Sequence, residues 1–291
     1  MNGIIIINKN QGYTSHDIVH KIKKISKEKV GHTGTLDPMA QGVLPILIGK
    51  ATQCSKYLIN HDKIYKVKLK LGIKTDTADS EGNILEKTEI SPEILNEQKI
   101  LQAINSMKGK QEQIPPIYSA IKVNGKKLYE YARKGQEVEI KPRQIEIYNI
   151  NLNNIDKENK IIEYTVNCSK GTYIRSLCED IAKKLGTIGY MENLIRLKVG
   201  EFSIENSITL EEILNAENPY NVLEKNIITL EEFFKEKETI NLNEKRLKLF
   251  LNGVNLTEPK QDGIYKIYEN QKFIGTGTIK EKLLKRDIIL V

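Results

Sequence analysis

Paired cysteines and long apolar runs are both missing from this sequence. The three cysteines, Cys54, Cys168 and Cys178, form no CxxC pair. An odd set without such spacing excludes a disulfide framework and a zinc knuckle. No apolar run approaches the roughly 20 residues that a membrane-spanning helix needs, and the start, MNGIIIINKN, lacks the cationic region and the length of a signal peptide. We therefore expect a cytoplasmic protein with no membrane segment.

The familiar motifs of cofactor and nucleophile chemistry are also missing. No Lys-Ser or Lys-Thr follows Gly31 and Gly34, as a phosphate-binding P-loop requires. No serine lies in a GxSxG elbow. His16 and His20 have the spacing of metal ligands on a helix, but no Glu or Cys accompanies them in a known pattern, and a solvated helix face is the favoured interpretation. The sequence predicts neither a metal site nor a cofactor.

The composition is that of a folded protein. Hydrophobic residues make up 39% and charged residues 29% of the 291 positions, which is enough for one large core or for one large and one small domain. The net charge of +7 points weakly to an anionic partner, because where the lysines lie matters more than their number.

Two periodicities indicate strands and helices in the first 237 residues. Alternation from Tyr65 to Leu71, and again within 145–168, predicts strands with one buried face. Ile18 and Ile22 have helical spacing, and Ser91 followed by Pro92 predicts the first turn of another helix.

The pattern of apolar and turn-forming residues changes after about residue 238. Short apolar pieces are separated there by turn formers: Asn252-Gly253, Asp262-Gly263 and the GTG at 275–277. This pattern is typical of a small all-β domain of roughly fifty residues, below the size that makes a robust core alone. We expect a catalytic domain over 1–237 and a small β-domain over 238–291 that packs against it.

One loop concentrates unusual residues around a single aspartate. Between Gly31 and Pro45 the chain reads GHTGTLDPMAQGVLP, with three glycines and two prolines near Asp37. An Asp-Pro step in a loop is most often a turn former. The segment nevertheless looks long and elaborate for a turn alone, so a catalytic carboxylate and a turn residue both remain open at this point.

Two further segments place polar groups where a pocket could form. Tyr65 lies at the end of an apolar strand face, where its hydroxyl must find a partner or open into a cavity. In SKGTYIR, an extended backbone would point Tyr173 and Arg175 the same way. An arginine facing Asp37 would keep that carboxylate ionised, although an ordinary structural ion pair would have the same spacing.

At this point the motifs resemble those of the TruB family of tRNA pseudouridine-55 synthases. The likeness covers most of residues 3 to 200 in order. The segments that carry it are GHTGTLDPMAQGVLP, KIYKVKLKLGIKTDTADSEG, IPPIYSAIKVNGKKLYEYARKG, CSKGTYIRSL and NLIRL. The resemblance implies an α+β catalytic domain with a central mixed, mostly antiparallel sheet flanked by helices (the pseudouridine synthase fold). It also implies a small C-terminal PUA-like β-domain that binds RNA.

The reaction that the resemblance implies is the isomerisation of a T-loop uridine, position 55 of tRNA, without any cofactor. Asp37 would be the catalytic carboxylate and Arg175 its pairing cation. Tyr65, the third catalytic residue, would stack on the uracil and help to remove the C5 proton. Three more positions would complete the pocket: Tyr173 as a wall, Leu194 as an apolar surface beneath the base, and His32, which in the family enters the space left by the flipped nucleotide.

An insertion at about 115–143 would grip the T-arm, mainly through phosphates. The resemblance assigns this role to Lys126, Lys127, Tyr129 and Arg133, and Lys9 is expected to support substrate binding. The partner is therefore tRNA, and the protein is expected to act as a monomer.

Two departures and two alternatives accompany this interpretation. Asn10 stands where the family usually has proline and Thr35 where alanine is common, which bears on loop rigidity rather than on Asp37. A guide-RNA-dependent synthase of the Cbf5/dyskerin type has a similar catalytic motif. A tRNA-binding folding chaperone is the alternative from another class.

Overall fold

The chain forms nineteen strands and nine α-helices, and the computed structural model describes all residues from 1 to 291. The strands are β1 (Gly3–Lys9), β2 (Val30–His32), β3 (Gln41–Ile48), β4 (Lys63–Leu71), β5 (Ile73–Thr75), β6 (Ile84–Lys87), β7 (Gly109–Gln113), β8 (Lys122–Val123), β9 (Lys126–Lys127), β10 (Arg143–Asp156), β11 (Ile161–Cys168), β12 (Gly189–Val199), β13 (Phe202–Ser203), β14 (Ile208–Thr209), β15 (Thr239–Asn241), β16 (Leu256–Thr257), β17 (Gly263–Glu269), β18 (Lys272–Lys280) and β19 (Leu283–Ile289). The helices are α1 (Ser15–Ser26), α2 (Ser55–Leu58), α3 (Glu97–Asn105), α4 (Leu128–Ala132), α5 (Ile174–Lys184), α6 (Leu210–Leu214), α7 (Pro219–Asn226), α8 (Leu230–Phe233) and α9 (Glu244–Leu251).

Ten strands form one mixed sheet. Its order is β14-β1-β3-β12-β4-β11-β10-β7, with β2 added at β3 and β13 at β12. The pairs β1–β14 and β12–β3 are parallel, and the other pairs are antiparallel. The predicted α+β class, with a mostly antiparallel sheet flanked by helices, is therefore confirmed. None of the nine helices combines the length and the apolar composition that crossing a bilayer requires.

The sheet is buried on both faces near β1, and this explains the unbroken isoleucine run of that strand. Ile5 and Ile7 belong to the main core, which also includes residues of helices α1, α5 and α6. Ile4 and Ile6 pack on the opposite face, in a second core that also includes Ile288 of β19. At β4 only the face of Tyr65 is in the main core, and the lysines of its other face are wholly or partly exposed, as the alternation predicted.

One helix begins later than predicted. Helix α3 starts at Glu97 rather than at Pro92, because Asn96 and not Ser91 caps it. The Asn96 side chain accepts from the backbone N–H of Gln98 at 2.9 Å and of Lys99 at 3.2 Å. An amide oxygen that accepts from two otherwise unpaired backbone N–H groups stabilises the beginning of a helix more than the Ser-Pro step upstream does.

The C-terminal residues form a second sheet, in the order β15-β17-β18-β19-β16. Helix α9 accompanies it, so the unit is not purely β as expected; Leu247 and Phe250 of that helix are buried against the sheet. The Asp287 carboxylate joins the unit to the rest of the chain by accepting hydrogen bonds from Tyr57 and Lys56. We propose the domain boundary at 237/238, just before β15.

Candidate active site

The loop that carries Asp37 runs from β2 to β3 and is fixed at its backbone. The Ser15 hydroxyl accepts from the N–H of Leu36 at 2.9 Å and donates to its carbonyl at 3.2 Å. The N–H of Ala40 donates to the carbonyl of Asp37 at 3.0 Å. Leu36 and Met39 are buried in the main core on either side of Asp37. Because the flanking residues are anchored, the loop presents Asp37 in one position.

Lys9 lies beneath this loop and is fully buried. Its ammonium donates to the carbonyls of Tyr13 at 2.7 Å, Asn10 at 3.0 Å and Pro38 at 3.2 Å. An ammonium has three N–H donors, so none is left for a ligand. Lys9 therefore positions Pro38, the residue that follows Asp37. The expectation that Lys9 supports substrate binding stays a prediction.

Lys9 also offers a pH test of this packing. Burial lowers the pKa of Lys9 from 10.5 to about 8, so the unfolded chain binds more protons than the folded chain between these two pH values. The free energy of unfolding of the wild type, relative to Lys9→Met, should rise with pH across that window by up to about 3 kcal/mol. Urea unfolding of both proteins at the two ends of the window measures this. An unchanged difference would contradict the buried placement of the ammonium.

Arg175 contacts the Asp37 carboxylate from the other side. Its Nε lies 3.1 Å from Oδ2 of Asp37 and its Nη2 lies 3.5 Å from Oδ1, so both carboxylate oxygens face the guanidinium. The same side chain donates to the carbonyl of Thr77 at 3.1 Å and of Tyr118 at 2.9 Å. Arg175 is buried in the first turn of α5, and not in an extended segment as predicted. The expected pairing with Asp37 is nevertheless present, because both residues reach the same cavity.

A second carboxylate completes this arrangement. Asp79, which is 4% exposed, lies 3.6 Å from Nη1 of Arg175. Burial raises the pKa of Asp37, and the nearby Asp79 charge also raises it, while Arg175 opposes both effects. Without Arg175 the Asp37 carboxyl would be protonated more readily. The guanidinium therefore keeps a partly desolvated carboxylate ionised and oriented.

Asp37 and Arg175 line a cavity of about 480 Å³, a size typical of small-ligand pockets. Tyr173 stands at the N-terminus of α5, where its backbone N–H donates to Gln113 at 2.8 Å. Of the residues singled out from sequence, the cavity brings together Asp37, Tyr65, Tyr129, Tyr173, Arg175 and Leu194.

Five other predicted residues lie outside this lining: His32, Lys9, Lys126, Lys127 and Arg133. His32 ends β2, two positions before Gly34 of the lining, and its Nδ1 is buried without a partner. Lys127 and Arg133 flank the Tyr129 ring, with the Lys127 ammonium 5.3 Å and the Arg133 guanidinium 5.3 Å from its centroid. Because Tyr129 lines the cavity, these two cations lie next to it.

Comparison with known families agrees with this geometry. Residues 22–174 match the N-terminal domain of the TruB family of pseudouridylate synthases. Residues 175–247 match the C-terminal domain of tRNA pseudouridylate synthase B. The chain belongs to the TruB family. The division between the two matches falls at Arg175, inside α5, so residues of both matched segments line the site.

TruB relatives match over nearly the whole chain. The tRNA pseudouridine synthase B of Clostridium tetani is 49% identical and covers 95% of this chain and 95% of its own. That of Aquifex aeolicus is 40% identical and covers 100% of both. A chain from the crystal structure of a Cbf5-Nop10-Gar1 complex is 26% identical, with a TM-score of 0.68 over 99% of this chain and 83% of that chain. These matches confirm the expected pseudouridine synthase fold.

Sequence reasoning missed two members of this TruB site, Asp79 and Arg196. Nothing in TADSEG distinguishes Asp79 from its acidic neighbours, because only the fold shows that Asp79 alone reaches Arg175. For Arg196 the sequence does contain an indication. It follows Leu194 by two positions in a strand, and a strand places such residues on one face. An arginine on the face of a buried leucine therefore already indicates a buried cation.

Proposed function

We propose that the protein converts uridine 55, in the T-loop of tRNA, to pseudouridine, with Asp37 as the catalytic carboxylate. Conversion of a tRNA uridine to pseudouridine is the activity of this family of tRNA pseudouridine synthases. The observation that carries the role of Asp37 is its contact with Arg175 at the wall of a cavity lined by Tyr65 and Leu194.

The reaction rearranges one nucleotide. The bond from N1 of uracil to C1′ breaks, a bond from C5 to C1′ forms, C5 loses a proton and N1 gains one, so no electron acceptor takes part. Asp37 either adds to C1′ or removes the 2′ proton, and both roles need an ionised carboxylate next to the sugar. The loop anchored by Ser15 and Lys9 supplies the immobilisation, and Arg175 favours the ionised form.

The base would lie between apolar and aromatic side chains of the cavity. Tyr65 on β4 and Leu194 on β12 are both buried in the core and both line the cavity. Tyr173 forms part of the same wall. These groups exclude water from the uracil once it has left the stack, and contacts in the pocket offset part of the few kcal/mol that flipping costs.

His32 is our proposed replacement for the flipped nucleotide. Burial lowers the pKa of His32 below 6.5, so its imidazole is neutral at physiological pH. A neutral aromatic ring gains little from phosphates and suits stacking against bases. The position of His32 just before the cavity-lining residue Gly34 supports this role.

The insertion around Tyr129 is the proposed grip on the T-arm. Exposed Lys126 and Arg133 and half-buried Lys127 add positive charge beside Tyr129, while β8, β9 and α4 give the segment its shape. A pair of cations next to an aromatic ring at the cavity mouth fits phosphates and a stacked base.

Removing two of these charges should weaken binding but not the chemical step. We expect Lys127→Gln with Arg133→Gln to raise the Kd for tRNA about 10-fold at moderate salt and to reduce the slope of log K against log[salt] by about 1 to 2. The rate at saturating enzyme should stay within about 3-fold of wild type, because Asp37 and Arg175 are untouched. Filter binding over a salt series measures this, with Lys68→Gln on the exposed face of β4 as matched control. An unchanged salt slope would argue against phosphate contacts here.

The direct test is pseudouridine mapping on a bare T-arm stem-loop incubated with the purified protein. The proposal expects stoichiometric product at position 55 without guide RNA or protein partners, and none when that uridine is replaced by cytidine. Product only with a guide RNA would favour the Cbf5/dyskerin type. Binding and refolding of tRNA without any product would favour the chaperone. Since one chain supplies Asp37, Tyr65 and Arg175, we propose a monomer, which acts where tRNA matures in the cytoplasm.

A further inference from the structure

Arg196 is the largest fully buried side chain of the protein, with 1% of its surface exposed. Its Nε donates to the carbonyl of Val43 at 2.7 Å and its Nη2 donates to the carbonyl of Gly34 at 2.8 Å. These two carbonyls lie on either side of Asp37 in the chain. Arg196 therefore spans the base of the catalytic loop from the neighbouring strand β12.

The charge of Arg196 has no acidic partner. No carboxylate oxygen lies within 4.0 Å of its nitrogens, whereas Arg175 has two such carboxylates, Asp37 and Asp79. Two neutral carbonyls use two of the five N–H donors of a guanidinium and leave the positive charge uncompensated. Burying an unpaired cation is costly. An arrangement that only braced the loop would not need a permanent charge.

Arg196 and Tyr65 are directly opposite each other across β12 and β4, and both line the cavity. Burial raises the pKa of the Tyr65 hydroxyl, and the Arg196 guanidinium beside it lowers that pKa again. Negative charge on Cys168 or Asp37 would raise the pKa of the phenol further, and Arg196 is the cation that opposes this. Lys63, at the start of the same strand, adds positive charge near Arg196.

We propose that Arg196 is a positioning residue that holds the Tyr65 hydroxyl against the uracil and balances the negative charge of its phenolate form. This inference rests on the proposed function. Tyr65 first gives its proton to solvent. After C5 has bonded to C1′, the phenolate takes the proton from C5, the C5–H electron pair forms the C5–C6 double bond, and the displaced ring electrons go to N1, which takes a proton from solvent. The sum is an isomerisation with no change in redox state.

The test compares Arg196→Lys and Arg196→Met with wild type, each also in a Tyr65→Phe background. Single-turnover rates are measured on a T-arm transcript carrying either hydrogen or deuterium at C5 of the target uridine, over a pH series, together with tRNA affinity and thermal unfolding. Lysine keeps the charge without the fork geometry. Methionine removes the charge at similar length.

We expect Arg196→Lys to slow the reaction about 10-fold and Arg196→Met about 100-fold, in line with the loss of one preorganised charge-stabilising donor. In Arg196→Met the deuterium effect at C5 should increase and the pH at which the rate rises should move upward, because the phenol loses the cation that favours its ionised form. Both changes should be much smaller in Arg196→Lys, which keeps the charge. In the Tyr65→Phe background, Arg196→Lys should add less than about 2-fold, because residues that act as one unit are not additive.

Three results separate the possibilities. A full additional loss from Arg196→Lys in the Tyr65→Phe background would overturn the inference, since Arg196 would then act on the loop alone. An unchanged isotope effect and pH profile in the folded Arg196→Met protein would overturn it as well, and if Arg196→Met does not fold, the comparison of Arg196→Lys with and without Tyr65→Phe decides the question. Wild-type protein that binds tRNA but forms no pseudouridine would instead overturn the proposed function, on which this inference rests.

Discussion

Asp37→Asn should abolish pseudouridine formation, with a fall in single-turnover rate of at least about 10,000-fold, as is typical when a central catalytic group is removed. The amide has the shape of the carboxylate but can neither add to C1′ nor accept a proton from C2′ at neutral pH. The loop should keep its conformation, because its anchors are the Ser15 hydroxyl, the Lys9 ammonium and the buried Leu36 side chain.

Binding is expected to survive this change. Affinity for tRNA comes mainly from phosphate contacts, and Asp37 lies within the cavity. The measurement is pseudouridine mapping and tRNA affinity with purified Asp37→Asn, with Asp62→Asn, an exposed carboxylate, as matched control. Loss of product with retained binding supports a catalytic role. Product at the wild-type rate would remove Asp37 from the mechanism.

Loss of Arg175 is expected to have the second-largest effect. We expect Arg175→Met to slow catalysis about 100-fold to 1,000-fold, the usual cost of leaving a desolvated charge without its partner. Arg175→Lys should recover only part of the rate. A lysine keeps the positive charge, but its single ammonium cannot contact the Asp37 oxygens, Asp79 and the carbonyls of Thr77 and Tyr118 together.

The pH dependence separates lost charge from lost shape. Arg175 lowers the pKa of Asp37 against the opposing effect of burial. When Arg175 is absent, that pKa rises, so the fraction of ionised Asp37 at a given pH falls and the rising limb of the pH–rate profile moves to higher pH. Arg175→Met should show this displacement clearly and Arg175→Lys much less. If both variants lost rate equally with an unchanged profile, Arg175 would serve only as a packing element.

Asp79 allows a check on the same network. Asp79→Asn removes a neighbouring negative charge that raises the pKa of Asp37, so its pH–rate profile should move to lower pH, opposite to that of Arg175→Met. Since Arg175 then loses one anionic partner, the maximal rate should also fall, though less than in Arg175→Met. The two displacements of opposite sign are measured in one pH series.

The sequence by itself determined the local structure and the chemical groups. Period-two alternation in β4 identified a strand and placed Tyr65 on its buried face, because a strand turns successive side chains to opposite sides. The concentration of glycine and proline around Asp37 identified a constrained loop, because those residues restrict or permit backbone angles on their own account. Thr14 caps α1 from the position just before it, an effect that is local to the sequence because a cap acts within a few residues.

Only the tertiary structure decided which of these groups act on one another. Asp37 lies in the loop before β3, Asp79 in the turn after β5 and Arg175 in the first turn of α5, and only the fold brings these three segments together. Lys9 shows the same limit, because only the fold reveals that its ammonium donates hydrogen bonds to three backbone carbonyls. The surroundings of Arg196 are formed by Gly34, Val43 and Tyr65, which lie more than a hundred residues away in the chain. Ion pairing and desolvation depend on distance in space and on exclusion of water, and neither is a property of neighbouring residues in a sequence.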